Sequence, residues 1–158
     1  MAGTAGSPKW LDPEEQQTWR GLIELILELE AEQEEALVET HGLTAGEYGV
    51  LVRLSEAPDR QLRMCDLAQG LRLSPSGLTR RVDGLVKRGL VTRDASTCDR
   101  RVMLASLTAA GMAKLEAAAP THVAAVRRSL FDHLAAEDVR VLNDVLRRAR
   151  DARQDAGL

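Results

Sequence analysis

Residues 60–103 carry ten lysines and arginines against four aspartates and glutamates. Guanidinium and ammonium groups at this density set up a local positive field, and the chemistry that suits such a field is attraction of phosphate. Residues 1–59 have the opposite balance, three basic residues against thirteen acidic ones, and residues 104–158 are nearly neutral at eight against seven. The net charge of −3 therefore conceals a polarised chain. Other reactive residue types are sparse. Cys65 and Cys98 are far apart and lack CxxC spacing. That argues against a disulfide framework or a thiolate zinc site and fits a reducing cytoplasm, with both read as inert thiols rather than oxidant sensors. His41, His122 and His133 have no metal-ligand spacing. Gly84 and Gly89 bracket four residues, but Leu90-Val91 follows where a phosphate loop needs Lys-Ser/Thr. No nucleophile stands with a base. The expectation is a protein that is not an enzyme, with no metal and no cofactor. Aromatic residues are 3% of the chain and none falls in the basic segment, which disfavours modules that stack single-stranded bases.

The elements that must carry the basic segment can be read from caps and periodicity. Asp12-Pro13-Glu14-Glu15 has the pattern of a helix start, with an N-cap acid, proline at the first position and acids in the first turn. That helix should run to about Thr40. Its apolar positions Trp19, Leu22, Ile26 and Leu29, with Ile23 and Leu27 beside them, form a stripe wider than one core requires, so a second burial surface on a partner subunit is expected. His41-Gly42 is a stop, and Thr44-Ala45-Gly46-Glu47 is a capping box that opens a second helix ending near Ala57-Pro58. Leu62-Arg63-Met64 is short enough to be one edge strand, and Asp66–Leu71 a short helix. Ser74-Pro75 starts a further helix that buries Leu78, Val82 and Leu85 and stops at Gly89. Leu90–Arg93 and Val102–Leu107 are strand-like runs around a polar, basic tip and predict a hairpin. Thr108 opens a long alanine-rich helix that Pro120 interrupts, and a last helix begins near Glu137 with Val141, Leu142, Val145 and Leu146.

Two short helices joined by a tight turn and followed at once by a basic hairpin make a winged helix-turn-helix, in a mainly α (α+β) chain. The blocks Leu67-Ala68, Leu73-Ser74-Pro75-Ser76-Gly77-Leu78-Thr79-Arg80, Val82-Asp83, Leu85 and Arg88-Gly89-Leu90-Val91 point further. So do Asp99-Arg100-Arg101 and Leu107-Thr108-Ala109-Ala110-Gly111, and, upstream, Trp19-Arg20 and Gly42-Leu43-Thr44 with Tyr48 and Leu51. Together and in this order they resemble the MarR family (multiple antibiotic resistance regulators) over roughly residues 15–150. The resemblance implies a single domain over 1–158 with a tail at 1–12. Within it, 44–107 would be a DNA-binding lobe, and 13–41 and 108–155 dimerisation helices.

It implies also that Ser74, Ser76, Gly77, Thr79 and Arg80 meet phosphates and base edges at the start of the recognition helix. Arg101, with Arg100 beside it in the wing, would enter the minor groove, its guanidinium held by Asp99. Arg81 departs from the family's usual aliphatic residue and is either a DNA contact or an amphipathic filler. Gly84 departs from a long polar residue, and Cys65 from a frequent serine. The implied partners are double-stranded DNA, a second copy of the chain, and a small aromatic or phenolic effector near Leu22, Ile26, Tyr48 and Leu51. No membrane is implied, and the expected role is a cytoplasmic, ligand-responsive repressor. The alternative from another class is a degenerate relative that sequesters another regulator without binding DNA.

Overall fold

The structure is a computed structural model and describes residues 9–96 and 99–157. Helix α1 spans Pro13–His41 and opens on a complete capping box, in which the Asp12 carboxylate accepts the Glu15 amide and Glu15 reaches back to the amide of Asp12. It ends where Gly42 takes φ 60°, a left-handed conformation that glycine adopts without a Cβ penalty. Helix α2 (Ala45–Ser55) starts on the reciprocal Thr44–Glu47 box. A single 3-10 turn, Pro58–Arg60, leads into strand β1 (Gln61–Arg63) and helix α3 (Met64–Gly70). Helix α4 covers Pro75–Lys87 and strands β2 and β3 cover Val91–Ala95 and Met103–Leu107. Helix α5 (Ala109–Ser129), another 3-10 turn and helix α6 (Ala136–Asp155) complete the chain.

Strand β3 is central, pairing antiparallel with β1 on one side and β2 on the other. The β2–β3 register runs from Val91 opposite Leu107 to Ala95 opposite Met103, so the hairpin's free end carries the basic tip. The core lies between α2, α3, α4, this small sheet and the first half of α5. Leu51, Leu54, Leu67, Leu78, Val82, Leu85, Val91 and Ala105 are essentially inaccessible there, and Leu37 of α1 joins them. Each such leucine contributes roughly 1.5–3 kcal/mol through burial.

Several details differ from the sequence reading. Met64 begins α3 rather than ending a strand, so that helix starts two residues before Asp66. The recognition helix ends at Lys87, with Gly89 two residues beyond. Pro120 lies inside an uninterrupted α5, exposed to solvent.

The join between lobe and α5 is tight. Thr108 Oγ1 donates to the Gly89 and Leu90 carbonyls at 2.8 and 3.1 Å and accepts the Gly111 amide at 2.9 Å. A Cβ at Gly111 would collide with the Leu90 carbonyl oxygen, so the Leu-Thr-x-x-Gly pattern is a docking site for a helix N-terminus against a strand.

Candidate functional site

Helix α4 is amphipathic in a way that separates its roles. Leu78, Val82 and Leu85 are buried, and the opposite stripe at i, i+4, i+7 and i+11 is Ser76, Arg80, Asp83 and Lys87. Ser74 is the N-cap, its Oγ accepting the Gly77 amide at 3.1 Å and lying 3.3 Å from the Ser76 hydroxyl. Thr79 donates its hydroxyl to the Pro75 carbonyl at 2.8 Å, so as a phosphate donor it must first give up that bond. Ser74, Ser76, Gly77 and Arg80 thus gather at the solvent-facing N-terminal half of α4.

Arg81 does not share that stripe. It is half-buried, and its guanidinium lies over Gly46 in the first turn of α2, where an added Cβ would meet Nε at 2.5 Å. Together with Glu30 and Glu34 it lines a cavity of about 680 Å³ between α1, α2, the α3–α4 turn and α4. Gly84 has a structural counterpart as well. Glu47 of α2 approaches it so closely that a Cβ would stand 3.2 Å from Oε1, and the same carboxylate receives Arg88 at 3.3 Å. An acid in the capping box of α2 therefore fixes the far end of the recognition helix.

In the wing, Arg100 and Arg101 are exposed at the hairpin tip, while Thr97 and Cys98 fall outside the described residues. The expectation that Asp99 grips the Arg101 guanidinium is corrected. Asp99 Oδ1 accepts the backbone amide of Arg101 at 2.9 Å and the Asp99 carbonyl accepts the Val102 amide at 2.9 Å, which closes a turn. Among the described residues no carboxylate lies within ion-pair distance of the Arg101 side chain. Aspartate bonded to a backbone amide two residues on is a local, low-entropy arrangement that competes well with a flexible ion pair. The acid orients the arginine through its backbone.

Sequence reasoning missed Arg93. It projects from β2 and pairs with Asp83 of α4 at 2.7 Å, so recognition helix and wing are joined across their solvent face. Only the alternation of β2 and the exposed side of α4 hinted at this, and neither fixes which residues meet.

The four residues expected around an effector are not brought together within this chain. Tyr48 and Leu51 are buried in the lobe, whereas Leu22 and Ile26 are 42% and 40% exposed on α1. Leu22 precedes Leu37, the α1 residue in the core, by fifteen positions, which is about 22 Å along a helix. Tyr48 instead packs on His122 of α5, ring centroids 4.6 Å apart. Burial pushes the Tyr48 hydroxyl up and the His122 imidazole down from their ordinary values, and His122 Nδ1 is buried with no hydrogen-bond partner among the described residues. No group of His, Cys, Asp and Glu among the described residues could hold a metal ion, and no helix among them is long and apolar enough to cross a membrane.

Comparison with known proteins agrees with this geometry. A MarR-family profile matches residues 41–102, from the end of α1 to the tip of the wing, just before β3. The chain is 32% identical over 110 residues to the HTH-type transcriptional repressor YetL of Bacillus subtilis, a match spanning 68% of this chain and 66% of that one. Among solved structures, the MarR-family regulator Sco3205 of Streptomyces coelicolor, in complex with DNA, superposes with a TM-score of 0.86 at 38% identity, covering 94% of this chain and 93% of that one. AbsC, a MarR-family regulator from the same organism, superposes with a TM-score of 0.83 at 35% identity, covering 94% and 99%. Aligned across nearly its whole length with proteins of this kind, and carrying their winged helix-turn-helix, the chain belongs to the MarR family of transcriptional regulators.

Proposed function

We propose that the protein is a homodimeric, sequence-specific binder of double-stranded DNA that represses transcription by covering a promoter, and that a small aromatic or phenolic effector releases it. The observation that carries the reading is the outward stripe of α4 beside a basic wing, held as one surface. A major groove admits one α-helix and offers a distinct donor and acceptor pattern for each base pair, which suits Arg80 for a guanine edge. Ser74, Ser76, the Gly77 backbone and Thr79 would meet phosphates, and Arg100 and Arg101 the backbone and minor groove beside them. Arg81 is better suited to the cavity it lines than to DNA.

Dimerisation is supported by apolar side chains left in solvent: Trp19, Ile23 and Leu27 of α1, and Val141, Leu142, Val145 and Leu146 of α6. Two-fold assembly would present two recognition helices to a pseudo-palindromic site with half-sites about one helical turn apart. An effector in the cavity between α1 and the lobe would favour a lobe spacing that no longer fits successive grooves. The domain division expected from sequence, a lobe at 44–107 flanked by dimerisation helices at 13–41 and 108–155, belongs to the same reading.

The test is to sequence genomic fragments retained by the purified protein and measure anisotropy on the preferred and a scrambled duplex. Arg80→Ala should cost on the order of 1–3 kcal/mol on the preferred duplex and relax one position per half-site. Equal weakening of both duplexes would make Arg80 a phosphate contact. No preference over scrambled DNA on any fragment would favour a sequestering partner instead.

A further inference from the structure

The stripe of α4 offered to DNA contains one residue of the wrong sign. Asp83 lies between Arg80 and Lys87 on the outward face, where a carboxylate would confront phosphate oxygens, and its Oδ1 holds Arg93 Nη1 at 2.7 Å. The side chains are 43% and 34% exposed, so the pair remains at the surface and, like other solvent-reached pairs, adds little to fold stability. Its effect falls on the surface charge. Arg93 is a cation positioned beside the reading helix and cancelled in place.

From this we infer that the Asp83–Arg93 pair is a specificity-determining latch that suppresses sequence-independent DNA binding; the inference rests on the DNA-binding reading above. Non-specific affinity comes from cations that displace counterions from phosphates, and each additional phosphate neutralised steepens the dependence of log K on log salt by about 0.9. A loosely seated protein on arbitrary sequence would use any free cation on this face. With Arg93 engaged by Asp83, that cation is withheld from phosphates that approach out of register. On the preferred site, base-edge contacts and the cap hydroxyls already fix where the phosphates lie. Arg93, set back on β2, adds less there. The pair thus widens the gap between preferred and arbitrary sequence by lowering the second, and specificity is that difference.

The experiment is anisotropy with the full-length chain on preferred and scrambled duplexes across a salt series. Asp83→Asn, which keeps a hydrogen-bond acceptor and removes the charge, should tighten scrambled binding about three- to tenfold at low salt and steepen its salt slope by about one, as one added phosphate contact would. The preferred duplex should gain less, so the ratio narrows. Arg93→Gln should weaken both duplexes, because it strands the carboxylate against phosphate, and the double variant should return close to wild type. If Asp83→Asn weakens both duplexes without changing either slope, the pair merely holds the wing and the inference is overturned. An unchanged scrambled affinity overturns it too while leaving the DNA-binding reading intact. Wild type that shows no preference for any sequence removes both.

Discussion

The lobe and the arms of this molecule obey opposite rules. Between Leu37 and Ala118 the apolar side chains of α2, α3, α4 and the sheet meet one another and leave water. Helix α6 buries none of its residues, and α1, over 29 residues, buries only Leu37. Leucines and valines are plentiful in both regions, so hydrophobic content does not separate them; the presence of a partner surface within the same chain does. An isolated stretch of helix owes most of its stability to packing of its apolar face. The lobe is closed on itself, while the apolar faces of α6 and of the first half of α1 are left in solvent.

That contrast can be broken most severely from within the lobe. Leu67→Ala, at a site with no exposure, should cost about 2–5 kcal/mol of unfolding free energy and lower the thermal midpoint by a wide margin in calorimetry. A loss below 1 kcal/mol would mean that the lobe core is far looser than its burial indicates. In the arms, Leu142→Glu combined with Leu146→Glu should leave the secondary structure of the lobe in place and shift sedimentation from dimer to monomer at micromolar concentration. A double variant that stays dimeric would move the interface off α6.

A smaller effect sharpens the reading of the wing. Because Asp99 serves Arg101 through a backbone amide, Asp99→Asn retains the acceptor and should leave DNA affinity within about twofold of wild type. Asp99→Ala should loosen the turn and cost about 1 kcal/mol, the scale of one lost hydrogen bond. Equal damage from both variants, read by anisotropy, would restore a charge pairing with the arginine side chain.

The smallest effect concerns His122. Its folded-state pKa lies below the unfolded one, so the unfolded chain binds the extra proton first. The stability that the neutral, buried imidazole contributes is complete above about pH 6.5 and is lost as pH falls through the depressed value. His122→Gln should flatten that acid limb in denaturant titrations. An unchanged limb would assign the pH dependence to other groups.

What the sequence disclosed follows the same division. Caps are local, and Asp12-Pro13, Thr44 to Glu47, Ser74-Pro75 and Thr108 each begin the helix that their side-chain chemistry announces. The amphipathic run of α4 is equally local, and it placed Leu78, Val82 and Leu85 on the buried side. Pairings across the chain were not legible. Arg81 is drawn to Gly46, thirty-five residues away, because a missing Cβ leaves room for its guanidinium. The partners Glu47 and Arg88 are separated by forty-one positions. The wing acid could be placed in its turn, but a carboxylate two residues from an arginine can bond to either its side chain or its amide, and spacing alone does not choose.

The seat of Gly111 against the Leu90 carbonyl gives α5 a mechanical character. A helix clamped at its first turn by Thr108 to the strand that begins the wing cannot swivel independently of that strand. In the proposed dimer it would act as a lever with its fulcrum outside the lobe. Twenty-one residues make an arm of roughly 30 Å at 1.5 Å rise per residue. A tilt of about 10° at the distal end of an arm that long displaces the proximal end by about 5 Å, close to one helical pitch. In the proposed dimer, small changes of angle where two copies meet would become large changes of reach at the recognition helices. An extra methyl group at position 111 would introduce play into that linkage before it altered any surface that touches DNA.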